Sequence, residues 1–431
     1  MQVHVGIQKY LQQSATGAVL VFFNQLPRQI QSMRQHLQYN NRVVNVDQYR
    51  NYGFESRIIT DYVLGKMKNT IAGGIRLYTG TTYRRADGKG ATGNEYTVSV
   101  SGNYPRDISF GSKNAAAFVE NIFRVGKHLL LIPGVRYEWL EGNASGRNGY
   151  STTGEEILLQ DITRSRSFLL AGIGTEYHLT KSTEIYANYS QAYRPIQFAN
   201  LQAPPSTDVV DPDLKDAKGY NIDLGYRGKI GSYLQFDLSA YYLQYNNRIG
   251  TITPAGANYR LVTNVGASTS KGVETYAEFN ILRAFVKNPK ADLSVFASYS
   301  YNDARYSGSH KDANTKGKKV ENAPANIFRG GVSAAYSGIQ LTVQVSYVDK
   351  TYSDANNTVA VSANAQNGLI PSYTLTDVTA SWKFAKNFQC KAGINNLFNE
   401  HYFTRRAGGY PGPGALPGDG RTMFLSVGAK F

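Results

Sequence analysis

Apolar side chains recur at every second residue through most of this chain, and that period restricts it to sheet structures with two unlike faces. Tyr220, Ile222, Leu224 and Tyr226 alternate with Asn221, Asp223, Gly225 and Arg227. Leu341, Val343, Val345 and Tyr347 alternate with Gln340, Thr342, Gln344 and Ser346. The last stretch follows the same rule: Met423, Leu425, Val427, Ala429 and Phe431 share one phase, and Thr422, Ser426, Gly428 and Lys430 share the other, with Phe424 as an apolar exception. Successive side chains of a strand point to opposite faces, so each of these segments has one apolar and one polar side. Two architectures use such strands. A soluble sandwich turns the apolar side inward, and a transmembrane barrel turns it toward lipid.

The connections separate the two. Short links at Gly126-Lys127, 179–182, 228–231, Ser337-Gly338 and 385–387 alternate with long ones at 143–165, 193–218, 247–266, 303–325, 352–371 and 404–419. A sandwich does not require this asymmetry, whereas outer-membrane barrels have tight turns at one end and long loops at the other. The longest apolar run, Ala18 to Phe23, has the length of a strand and not of a membrane-spanning helix. The 32 Tyr and 42 Gly suit strands with aromatic girdles, and the 18 % charged residues are few for a soluble surface of this size. The expected fold is all-β, a transmembrane antiparallel β-barrel.

Other chemistries find little support. Cys390 is the sole cysteine, which excludes an internal disulfide. Its phase matches Phe388, Ala392 and Ile394, so it reads as a small apolar residue facing lipid. The six histidines are scattered without metal-ligand spacing, and a catalytic set is not apparent. Gly172 and Gly174 fall within a strand pattern with no following helix, against a dinucleotide site. The net charge of +15 fits either solvated basic loops or an attractive field for an anionic ligand. No recognition helix or RNA-binding motif accompanies it, so nucleic acid is not an expected partner.

Read back from Phe431, strands are expected near 420–431, 388–403, 372–384, 339–351, 326–336, 291–302, 267–279, 232–246, 219–227, 183–192, 166–178, 128–142, 113–125, 68–80, 52–64, 17–26 and 2–10. These number about seventeen, where single-chain bacterial barrels carry an even count.

Several segments together resemble the TonB-dependent outer-membrane receptors. Gly393 to Phe403, GINNLFNEHYF, is similar to their NLF…YF signature, and Gly420-Arg421-Thr422 leading to Phe431 resembles their closing strand. Pro133 to Glu138 (PGVRYE), Tyr186 to Ser190 (YANYS), KGVETYAEF around Glu274, and Ala297 to Tyr301 (ASYSY) fall in matching order. Tyr52 to Arg57 (YGFESR) and Gly74 to Tyr78 (GIRLY) look like the ferric dicitrate receptor branch. The resemblance implies a barrel of about 22 strands closed by a plug domain, located in the bacterial outer membrane. It also implies uptake of a ferric siderophore or ferric carboxylate complex, energised by TonB, without a cofactor or catalysis. A signal peptide, TonB box and plug are not apparent before or after Met1, and about five strands are unaccounted for. Residues 1–431 are therefore expected to be the C-terminal part of such a receptor. Gly408 to Gly418 replaces the Asn-rich outer loop of the dicitrate branch, so citrate itself is not implied. A passive porin-like channel and a non-functional fragment are the alternatives.

An anionic chelate calls for guanidinium groups, which hold carboxylates bidentately and keep their charge. Arg76 lies on the polar phase of its strand with Ala72, Gly74 and Tyr78, and is expected to face the lumen. Arg84 and Arg85 are expected in the following loop, and Arg405 and Arg406 at the edge of the last long loop. Lys311, Lys316, Lys318 and Lys319 read as a solvated or lipid-facing basic edge rather than a site. Outer-membrane lipid and lipopolysaccharide phosphates are the competing partners for these cations. Met423, Leu425, Val427, Ala429 and Phe431 form the expected membrane-assembly signal.

Overall fold

A computed structural model describes residues 41–430 except 93–96, 160–161, 197–207, 253–259, 287–289, 309–313 and 408–413. Fifteen long strands form one antiparallel path: β1 (Val43–Leu64), β2 (Met67–Lys89), β3 (Arg106–Val125), β4 (Leu129–Tyr150), β5 (Ile162–His178), β6 (Thr183–Arg194), β7 (Ala217–Ile230), β8 (Leu234–Asn246), β9 (Ser268–Asn280), β10 (Ala291–Tyr306), β11 (Asn326–Tyr336), β12 (Ile339–Val348), β13 (Tyr373–Ala385), β14 (Phe388–Asn395) and β15 (Thr422–Ala429). Each pairs with its neighbours in sequence, and a short strand, Glu156–Leu158, adds to β4. The expected strands at 2–10 and 17–26, and Phe431, lie outside the described residues. A five-residue helix, Ile281–Phe285, occupies the link between β9 and β10 and was not anticipated; Asn280 caps it by accepting from the Arg283 amide.

Short turns gather at one end and long loops at the other. Ser337 and Gly338, which join β11 to β12, both have positive φ (46° and 83°). A two-residue hairpin needs that pair of values to match the twist of its strands. Several strands run well past their expected limits. β1, β2 and β4 have 22, 23 and 22 residues, so about half of each lies beyond the 9–11 residues that cross a bilayer.

The two faces follow residue parity around the whole sheet. One carries Phe54, Ile58, Ile75, Leu77, Ala117, Val135, Leu169, Ile173, Leu224, Leu238, Val273, Val295, Val332 and Val343. Its large apolar side chains are bare: Leu169 is 62 % exposed and Leu425 64 %. Met423, Val427 and Ala429 lie on it beside Leu425, opposite Ile394, Cys390 and Phe388. The other face is polar and bears both large cavities. Buried apolar side chains sit at the long-loop end, as with Ile108 and Phe110 near Ala144, and Tyr306 near Val265, Ala304 and Val320. An apolar band on the outside with a core under the loops inverts the arrangement of a soluble sandwich, and it suits a hydrocarbon surround.

On the polar face, rings lie over glycines directly opposite on the next strand: Phe118 over Gly74, Tyr186 over Gly225, Tyr241 over Gly272, Phe296 over Gly331 and Phe424 over Gly393. A Cβ at Gly225 would collide with the Tyr186 ring. That ring stacks 4.8 Å from the Arg227 guanidinium, and its hydroxyl donates to Asp237 Oδ1 at 3.1 Å. Gly225→Ala is expected to cost ~1–3 kcal/mol by overpacking. In a Tyr186→Ala background it should cost less than ~0.5 kcal/mol, because the clash is gone. Denaturant titrations of the four proteins of this cycle check the coupling.

Candidate functional site

Cross-strand register assembles an arginine-lined basin on the polar face. Glu55 of β1 stands opposite Arg76 of β2, Arg76 opposite Ala116 of β3, and Ala116 opposite Glu138 of β4. One step toward the short turns, Arg57, Gly74, Phe118 and Arg136 follow in the same order. A cavity of about 790 Å³ opens here, walled by Arg57, Arg76, Arg136, Glu55, Glu120 and Phe118, with Gly134, Gly172 and Gly174 leaving room at its floor. Arg57 pairs with Glu55, and Arg136 Nε donates to Glu138 Oε1 at 2.5 Å. Arg76 makes no ion pair among the described residues and is exposed to the cavity. Three guanidinium groups stand among three carboxylates, Glu55, Glu120 and Glu138, and Arg76 is the guanidinium here without an ion pair, in a position to meet an oxygen-rich anion. The acidic groups of the same face concentrate farther round, at Asp223, Asp237, Glu274 and Glu278 on β7, β8 and β9.

The other expected arginines are dispersed. Arg84 and Arg85 lie within β2 and not in a loop, because the alternation continues up the strand to Lys89. They therefore point to opposite faces. Arg84 is held by Asp47 through two 2.9 Å hydrogen bonds, while Arg85 lies 5.4 Å from the Tyr104 ring. Arg405 and Arg406 sit in a short strand, Phe403–Ala407, paired with Gly414–Pro417. Arg405 is exposed, and Arg406 donates to the Ala365 and Leu369 carbonyls, both at 3.1 Å. Lys311 falls outside the described residues, and Lys318 Nζ reaches Asn356 Oδ1 at 3.4 Å.

Arg57 and Arg136 are the basin residues that sequence reasoning missed. Both lie in quoted motifs, YGFESR and PGVRYE, on the polar phase that singled out Arg76. A second grouping was also missed. Glu176, His178 and Glu184 place their ligand atoms within 4.8 Å of one another across the β5–β6 turn. Arg227 already bridges both carboxylates of this set, its Nε 2.6 Å from Glu184 and its Nη2 3.3 Å from Glu176. The cluster therefore functions as an ion-pair network at the short-turn rim.

The long loops are fastened one to the next. Strand Asp208–Val210 pairs with Arg260–Asn264, which pairs with Ile249–Ile252. Arg248 bonds Glu321 at 2.9 Å, and Tyr306 donates to the same carboxylate at 2.6 Å. The Asn322 amide donates to the Tyr352 carbonyl at 2.8 Å, and Arg406 ties 396–421 to 349–372. Five loops thus form a collar above the wall. Burial pushes the Glu321 carboxyl up, but the Tyr306 hydroxyl and the Arg248 guanidinium outweigh it and hold Glu321 below its usual range.

Residues 7–397 match the model of the TonB-dependent receptor-like β-barrel family. The chain is 24 % identical over 268 residues to the metal-pseudopaline receptor CntO of Pseudomonas aeruginosa, covering 59 % of this chain and 32 % of that protein. It is 22 % identical over 333 residues to the rhizobactin receptor of Rhizobium meliloti, covering 72 % and 40 %. Among solved structures, the unliganded ferric citrate transporter FecA is similar with a TM-score of 0.72 and 22 % identity, covering 90 % of this chain and 55 % of that one. The copper transporter OprC is similar with a TM-score of 0.67 and 17 % identity, covering 90 % and 58 %. The chain thus spans a third to two fifths of these curated relatives and just over half of the solved chains.

The depressed Glu321 pKa carries a sign. The carboxylate stabilises the collar above its unfolded pKa, and that stabilisation is lost as pH falls through the lower folded value. Hydrogen-exchange protection of the Tyr306 and Val320 amides, corrected for intrinsic rate, should hold from neutral pH to about 5 and fall about 10-fold on further acidification. Glu321→Gln should lower protection at neutral pH and flatten this profile.

Proposed function

The chain belongs to the TonB-dependent receptor-like β-barrel family, and from that premise we propose that it serves in the bacterial outer membrane as the wall of an importer for anionic ferric chelates. Its exposed apolar band supports membrane insertion, with the long loops outward and the short turns toward the periplasm. The observation that carries the substrate reading is Arg76: a guanidinium without an ion pair among the described residues, facing the cavity about midway along β2, between Arg57 and Arg136. A chelate whose iron is wrapped by carboxylates presents the charge and the paired oxygens that such groups hold bidentately. A ferric siderophore with carboxylate arms and a ferric carboxylate complex both fit this description. In the whole receptor the energising partner is TonB. Its structural neighbours and relatives include a ferric citrate transporter and a rhizobactin receptor, which agrees with that class of cargo.

Arg57 and Arg136 already answer Glu55 and Glu138, so their charge is partly spent. Arg76 has its charge free for the cargo. Arg76→Ala should therefore weaken binding of a ferric carboxylate complex about 10-fold or more, the loss of one charge-assisted hydrogen bond. Lys318→Ala, on an outer loop where one solvated charge is worth little, should change it less than about 2-fold. Fluorescence or calorimetric titration with the ferric complex measures both. Equal constants for the two variants would remove Arg76 from the ligand contacts.

A further inference from the structure

The outward face of β7, β9 and β10 carries cations where a lipid wall should have none. Parity places Lys218, Lys271 and Arg305 on the same side as Ile222, Leu224, Leu238 and Val273. Lys271 stands opposite Tyr242 and Asp303, and Arg305 one step nearer the loops, opposite Thr269. Lys218 lies a further step up, opposite Asn246. Nine residues separate Lys271 from the end of its strand at Asn280. At about 3.3 Å per residue and a tilt of about 40°, that height is ~20–25 Å, the upper edge of a hydrocarbon band about 25 Å tall.

Among the described residues Asp303 is the one carboxylate on this patch, and Arg305 Nε donates to it at 2.8 Å while Nη1 of the same side chain donates to the Gly317 carbonyl at 3.0 Å. Lys218 and Lys271 are exposed and make no ion pair among the described residues. These three cations and one anion leave a charge near +2, and Lys319, bridged directly opposite Arg305, adds to it. An unpaired ammonium at the hydrocarbon edge is unfavourable unless its stem carries the head up to an anion. The rings of Tyr220 and Tyr242, with centroids 6.1 Å apart, mark the interface level between the lysines.

We propose that Lys218, Lys271 and Arg305 bind the phosphate monoester headgroup of an outer-leaflet lipid, whose acyl chains lie on Ile222, Leu224, Leu238 and Val273 below. A phosphate monoester carries about −1.5 to −2 charges near neutral pH and so balances the patch. The site is on the opposite face of the wall from the arginine basin, so chelate binding and lipid binding can fail separately.

Native mass spectrometry of the 431-residue chain in mild detergent provides the test. Delipidated protein is offered bis-phosphorylated lipid A, enzymatically dephosphorylated lipid A, or inorganic phosphate with lipid A. The wild type should retain the phosphorylated lipid at least 10-fold over the dephosphorylated one. Lys218→Gln/Lys271→Gln/Arg305→Gln, with unchanged circular dichroism, should lose that preference while a Lys318→Gln control keeps it. Equal retention of the two lipids by the wild type would overturn the proposal without any variant. Preference kept by the folded triple variant would overturn it too, as would displacement of the lipid by millimolar inorganic phosphate, which would mean a bare anion site.

Discussion

Hydrocarbon offers no hydrogen-bond partner to a peptide group, so a chain that crosses it must satisfy every backbone donor and acceptor within itself. Along the path that demand is met by the simplest route, each strand from β2 to β14 pairing with the strands before and after it in sequence, while β1 and β15 each pair on one side among the described residues. Local pairing fixes parity, and parity fixes chemistry: a slip of one residue would carry a whole strand's apolar set to the polar face. Arg76 faces the cavity for the same reason that Ile75 and Leu77 face outward. The glycine–ring pairs of the polar face depend on it as well, since each ring meets its glycine only in this register.

The wall was legible in the sequence because its determinants are local. Period two, short turns such as Ser337-Gly338 and the long-loop rhythm placed the fifteen long strands of the path, but not the short strands within the long connections, which read as loops. Strand ends were less legible. Above the membrane, β2 continues through Thr82, Tyr83, Arg84 and Arg85 as a polar ribbon, which by composition reads as loop. The loss had a chemical consequence, since in a strand Arg84 and Arg85 must diverge. The basin was half legible. Phase alone identified Arg76, and the same test applied to YGFESR and PGVRYE finds Arg57 and Arg136. That the three meet depends on pairing β1 with β2 and β3 with β4, which one sequence does not display. Glu176, His178 and Glu184 were hidden similarly, their proximity arising across a hairpin from residues without a common motif. The helix at Ile281–Phe285 is too short to show a period.

The polar face distributes its charge unevenly. Arg57, Arg76 and Arg136 stand among an equal number of glutamates on β1 to β4, whereas Asp223, Asp237, Glu274 and Glu278 on β7, β8 and β9 outnumber Arg227 and Lys229. An anion beside this face is repelled more by the second arc than by the first. On the outward face, Lys218, Lys271 and Arg305 stand at the loop-end rim of the apolar band.

The fastening of the five loops has a further consequence, for how such a surface can vary. Separate loops can each change length and sequence without regard to the others. In this collar, Glu321 answers Arg248 in one neighbouring loop, the Asn322 amide answers the Tyr352 carbonyl in another, and Arg406 reaches two carbonyls of that second loop from its other side. An insertion that suits one loop must also keep the bonds owed to both sides. Exchange of a single loop between homologous proteins would leave Glu321 or the Ala365 and Leu369 carbonyls without their partners. Substitution in this region is therefore concerted, and the unit that can be transplanted is the collar as a whole.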